Sequence, residues 1–199
     1  LNKKMSTNMR KVLISFSCLF PATAFAHAIE GKGFLAGLYH PVFGLDHLLA
    51  MLSVGILSTQ IGGRAIWSVP ATFVTIMLIS GWVGMEALVD LADTQVEMGI
   101  KFSVILLGFV IALQRNMPVF LAMLFVAFFA FFHGYAHGVE MPAKAIPYYF
   151  AAGFVISTIA IHLTGVVIGL VAGHWKSSSI ILRFAGAVMM GMGIQILLG

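Results

Sequence analysis

Six apolar stretches of roughly twenty residues, parted by short polar breaks, follow one another from residue 33 to the end of the chain: 33–60, 65–91, 98–113, 118–139, 146–172 and 179–198. A bilayer core takes about 20 mainly apolar residues of helix per crossing. Each stretch therefore suits one crossing, with boundaries that sequence places only to within about 2–4 residues. The alternative, a water-soluble core, fails on composition. Of 199 residues 60% are apolar and 9% charged, whereas soluble domains carry about a quarter charged residues. In lipid the backbone has no water to bond, and a helix pairs its own amides and carbonyls. The expected fold is all-α, a polytopic membrane protein of about six transmembrane helices. Residues 27–199 form a single membrane domain, with no length left for a soluble one.

The segment before the first span reads as an address. Residues 9–26, MRKVLISFSCLFPATAFA, place Arg10 and Lys11 before a short apolar run interrupted by Pro21 and end in Ala24-Phe25-Ala26, the pattern of a cleaved signal peptide. Residues 1–26 are assigned to it, those upstream of Met9 as a start-site extension. Cleavage leaves His27 as the new terminus, outside. The breaks then alternate, with Arg64, Arg115, Lys176 and Arg183 inside and Lys32, Lys101 and Lys144 outside beside Asp90, Asp93, Glu97 and Glu140. That is the direction of the positive-inside rule. The lone cysteine, Cys18, falls in the signal peptide, so the mature chain offers no thiolate for copper or an iron–sulfur cluster. The net charge of +4 is scattered and leaves no nucleic-acid footprint.

Ionisable residues inside membrane helices are expensive and mark pathways or sites. Here they gather in two motifs. HPVFGLDHLLAM in the first span carries His40, Asp46, His47 and Met51. The two histidines, seven residues apart, share a helix face, and Pro41 and Gly44 predict that the helix begins or loosens between them. FFHGYAHGVEMP, ending the fourth span, carries His133, His137 and Glu140 on one stripe. Imidazole suits zinc, copper, iron or nickel, and a carboxylate offsets the cation's charge. Both motifs fall in the outer half of their spans, at overlapping depth. Glu86, near the outer end of the second span, either joins them or is a solvated helix end. His162, mid-span in the fifth, is a hydrogen-bond donor or a later station. His27 pairs an α-amine with an imidazole, a metal-capture arrangement or an ordinary exposed terminus. His174 beside Trp175 reads as interfacial. Met189, Met190 and Met192 make no stripe with the histidines and read as packing. Gly165, Gly169 and Gly173, spaced by four, predict close helix contact, within the chain or between copies.

With these motifs the chain resembles the HupE/UreJ family of bacterial nickel and cobalt transport proteins. The resemblance rests on HPVFGLDHLLAM, on FHGYAHGVEMP and on a signal peptide followed by His27-Ala28. It implies that residues 27–199 are a transport domain in the bacterial inner membrane with a periplasmic N-terminus. The cargo would be Ni2+ or Co2+, Zn2+ being less favoured, with no tightly bound cofactor. It implies that His40, Asp46, His47, His133, His137 and Glu140 are the functional positions. The more distant HX4DH permeases have four residues between histidine and aspartate, where this chain has five between His40 and Asp46. No G-x-x-x-x-G-K-[ST] phosphate loop occurs, so the chain itself carries no ATPase and works as a secondary carrier or facilitator. Three spans per half, with a motif opening each half, have the arithmetic of a 3+3 inverted repeat. Two other functions remain as alternatives. An intramembrane metal-dependent hydrolase would use His133 and His137 at H-E-x-x-H spacing, although Gly134 takes the place of the glutamate. A metal sensor or insertion partner would bind without transporting.

Overall fold

A computed structural model describes residues 33–114, 117–175 and 178–198. The expected signal peptide, His27, Lys32, Arg115 and Lys176 lie outside the described residues. The described residues form seven helices: α1 (Gly33–Phe43), α2 (Leu45–Ile61), α3 (Ala65–Met85), α4 (Asp93–Leu113), α5 (Val119–Val139), α6 (Pro147–Gly173) and α7 (Ser178–Leu198). The last five are each long and apolar enough to cross a bilayer, and α1 with α2 make one broken span, bent by 77°. Six spans result, and the chain is a polytopic helical membrane protein. Large side chains such as Trp67, Phe120 and Phe184 are about 70% exposed on its outside, as a lipid-facing surface requires.

Two boundaries depart from the sequence reading. The second span ends at Met85 rather than near residue 91, where Ala87 takes a positive φ of 48° and the helix stops. The third begins at Asp93, five residues ahead of the expected start. Its first turns are polar because they are solvated. The Gln95 side chain accepts from the Ala92 amide, satisfying one of the helix's first free donors, and Lys101 pairs with Glu97 one turn before it. Counting apolar residues mistakes such a turn for loop.

Between lipid-bathed helices there is little hydrophobic drive, so close van der Waals packing must hold them. Glycines supply it. Gly134 and Gly138 of α5 lie against the backbone of α3 at Met77 and Gly81, and Gly84 of α3 against Tyr135 of α5. Gly37 and Gly153 join α1 to α6, Gly55 and Gly165 join α2 to α6, and Gly108 and Gly186 join α4 to α7. These are the extensive helix pairs of the structure. Of the expected glycine stripe, Gly165 and Gly169 face α2 within the chain, and Gly173 faces open space.

The ends of the bundle differ in charge. Arg64 stands just before α3, and Arg183 donates to the Ala112 carbonyl at the end of α4. At the opposite end lie Glu86, Asp90, Asp93, Glu97 and Glu140, with Lys101 and Lys144. The histidine motifs sit at this second, more acidic end.

Candidate metal site

The break in the first span builds the site. Pro41 has no amide to give the preceding turn, and Gly44, extended at φ −77° and ψ 105°, separates α1 from α2. His40 thus sits in the last turn of α1 and His47 in the first turn of α2. The bend folds both toward the C-terminal half of α5, where His133 and His137 are one turn apart. The carbonyl ends of α1 and α5 carry partial negative charge, which favours a cation there.

Four imidazoles from three helices meet. Ring centres lie 4.7 Å apart for His47 and His133, 4.8 Å for His47 and His137, and 4.7 Å for His40 and His137. Two imidazoles held cis on one ion by bonds of about 2.1 Å have ring centres roughly 4.5–5 Å apart. The spacing therefore suits shared coordination. The orientation does not yet: no three imidazole or carboxylate groups among the described residues converge on a common point. The ring torsion of histidine is soft, so rotation in place is the adjustment that coordination requires.

Neighbouring groups select the free nitrogen on each ring. Asp46 Oδ1 lies 2.8 Å from His47 Nδ1 and accepts its proton, leaving the Nε2 lone pair free. The same oxygen accepts from the His47 backbone amide at 2.8 Å, which locks the carboxylate in place. The Ser103 hydroxyl donates to the Ile100 carbonyl at 2.6 Å, so its oxygen accepts from His133 Nε2 at 2.9 Å and frees Nδ1. His40 Nε2 donates to Glu140 at 3.3 Å. This hydrogen bond holds the Glu140 carboxyl below its usual titration range, against the partial burial that pulls it upward. With a depressed value in the folded protein, the carboxylate is charged at neutral pH. Its pairing is lost only as the pH falls through that lowered value.

The remaining nitrogens have nothing to bond. His47 Nε2, His133 Nδ1 and both nitrogens of His137 are buried without a partner among the described residues. An orphaned buried polar atom costs about 1–3 kcal/mol. Several within one cluster mark a place that a cation or water fills. Burial rules out sharing this expense with bulk solvent: His133 and His137 are 0% and 1% exposed. A cavity of about 430 Å3, lined by Tyr39, His40, Asp46, His47, Glu140 and Phe150 among others, opens onto the cluster from the acidic end.

All six principal positions from the two sequence motifs therefore come together. Met51 is fully buried one turn beyond His47. Glu86 is exposed at the C-cap of α3 and does not line the cavity. His162 is buried deeper, beyond the ring of Phe73. His174 is exposed and bonds the Leu170 carbonyl at its own helix end. Sequence reasoning missed Ser103, which orients His133, and Phe154, whose ring lies 4.8 Å from His137. A serine midway along an apolar helix was the only signal for the first, and nothing marked the second.

The HupE / UreJ protein family profile matches residues 14–196. Protein HupE of Rhizobium leguminosarum bv. viciae is 37% identical over 181 residues, covering 90% of this chain and 92% of that protein. No solved structure matches. A family match spanning nearly every helix, joined to a relative of this identity along almost its whole length, places the chain in the HupE/UreJ family.

Proposed function

We propose that this protein is a secondary carrier or facilitator that brings Ni2+ or Co2+ across the bacterial inner membrane from the periplasmic side. The observation that carries this reading is the set of buried, unpartnered imidazole nitrogens at ligand spacing, with Asp46 and Glu140 beside them. Two carboxylates balance a divalent charge and lower the cost of taking the cation out of water. The acidic residues at this end raise the local concentration of cations. A hydrated ion enters the cavity and first meets His40 and Glu140. Waters are then replaced by His47, His133 and His137. Imidazole with carboxylate suits nickel and cobalt, and selection against copper, which any such site binds more tightly, falls to geometry and supply. The three closest pairings, α3 with α5, α6 with α1 and α2, and α4 with α7, are what exchange of two three-span halves would map onto one another. That supports an inverted repeat, the usual frame for alternating access. Gly134, in the place of the glutamate of a metalloprotease helix, is occupied in packing on α3, which favours the carrier over a hydrolase.

The test is accumulation of radioactive nickel by cells producing the chain, against cells with the empty vector, with excess cobalt, zinc or copper as competitors. Uptake displaced foremost by cobalt is expected; no uptake above the empty cells would sink the proposal. Two weaker changes probe the supports of the ligands. Asp46→Ala releases the His47 ring and is expected to weaken nickel binding about 10–100-fold, the usual effect of losing a ligand-orienting carboxylate. Ser103→Ala, removing one neutral hydrogen bond, should weaken it by about tenfold at most. Calorimetric titration of purified protein with nickel checks both. Unchanged affinity in Asp46→Ala would mean that His47 is not a ligand.

A further inference from the structure

We propose that His162 is a second cation station, separate from the histidine cluster and placed on the inward side of it. The inference rests on the carrier reading and adds a site that the two motifs do not contain.

His162 is 2% exposed, and both of its ring nitrogens lack a hydrogen-bond partner among the described residues. An imidazole in that setting is worse than the apolar side chain that could fill the same space, because its polar atoms have been stripped of water for nothing. It also lies deeper than the outer cluster. Phe154 of α6 touches His137, and His162 lies two turns further along the same helix, about 12 Å deeper. The fully buried ring of Phe73 adjoins both sites. Its centre is 5.5 Å from that of His133 on one side and 5.0 Å from that of His162 on the other. One turn toward the outer cluster, the Thr158 hydroxyl meets the Met77 sulfur at 3.9 Å. His162 also borders an apolar cleft of about 310 Å3 between α3 and α6, shared with Pro70 and with Trp67 of the outer surface.

This order has a chemical logic. A divalent cation released from the outer cluster faces an apolar interior in which it cannot remain unligated. The Phe73 ring touches both sites, and its π system attracts a passing cation. His162 supplies the next nitrogen, with the Thr158 oxygen and Met77 sulfur on the way. A separate inner site lets the outer one empty inward.

The variants for the test are His162→Phe, which fills the space without a ligand, and His162→Cys, which restores one. With equal membrane abundance, His162→Phe is expected to bind nickel at the outer cluster within about twofold of wild type while uptake falls at least tenfold, and His162→Cys to recover part of that uptake. In purified His162→Cys loaded with cobalt, a sulfur-to-cobalt charge-transfer absorption should appear that the wild type lacks. Uptake by His162→Phe within twofold of wild type would overturn the inner station and leave the carrier intact. So would loss of nickel binding together with uptake in both variants, since His162 would then belong to the outer site or to the scaffold. Absence of the cobalt band in His162→Cys counts against the station as well. Wild-type protein that neither binds nor imports nickel would remove the carrier reading itself, a result distinguishable from all of these.

Discussion

Replacing His47 by alanine should reduce nickel uptake at least a hundredfold, to the level of cells without the protein, at unchanged membrane abundance. His47 is the one residue whose ring adjoins those of His40, His133 and His137, and its Nε2 is free because Asp46 occupies Nδ1. Its loss removes a nitrogen donor and leaves the half-buried Asp46 carboxylate without its imidazole partner, so two terms act in the same direction. The fold should survive. The side chain lies in a cluster of polar groups that already lack partners, and α2 keeps its glycine contacts with α6 through Gly55. Uptake of radioactive nickel, normalised to immunodetected protein, measures the effect. Retained uptake in His47→Ala would place the cation path elsewhere in the bundle.

Gly138→Leu should be the most damaging change outside the ligands. A Cβ at residue 138 would overlap the Gly81 carbonyl oxygen and lie 2.8 Å from the Met85 amide nitrogen, both of them backbone atoms that cannot turn aside. Overpacking a rigid contact costs about 1–3 kcal/mol, and a leucine adds three carbons beyond the Cβ. The relief available is to part α3 from α5. That displaces His137, immediately before Gly138, and loosens the contact of Gly134 with Met77 and Ser80. The expectation is a lowered thermal midpoint in detergent and a loss of nickel binding of at least tenfold. A scan of unfolding against temperature, run with and without nickel, reads both. A midpoint equal to wild type would show that the helices separate without penalty, and that the glycine contact is not what holds α5 in register.

The pH dependence of nickel capture follows from the same arrangement. Because the His40 hydrogen bond keeps Glu140 ionised into acid, neutralisation of Glu140 does not limit nickel capture between pH 7 and 5. Glu140→Gln, which removes that charge, should therefore weaken uptake throughout that range, read as nickel accumulation measured at each pH.

Much of this architecture was legible in the residues. The spans announced themselves through their length and apolar content, and Pro41 and Gly44 foretold the break in the first. The two motifs named the six ligand candidates, because an ionisable side chain in lipid has so few innocent explanations. The boundaries at Met85 and Asp93 were not legible: a solvated helical turn carrying Asp93, Glu97 and Lys101 has the composition of a loop, and only its capping and i, i+4 pairing reveal a helix. Nor was Ser103, since a serine in an apolar helix has no direction until the facing helix is known.

What the sequence determined by itself was therefore the solvent, the helical class, the spans and the residue types of the candidate site. Each depends on properties that a residue carries wherever it lies: transfer free energy, backbone propensity and ligand chemistry. What only the tertiary structure decided was which atoms meet. The glycine contacts between α3 and α5 and between α6 and the broken first span set the helix separations. Those separations bring His40, His47, His133 and His137 within ring contact and set Phe73 against both His133 and His162. Such distances arise from close packing among distant segments, which no local pattern encodes.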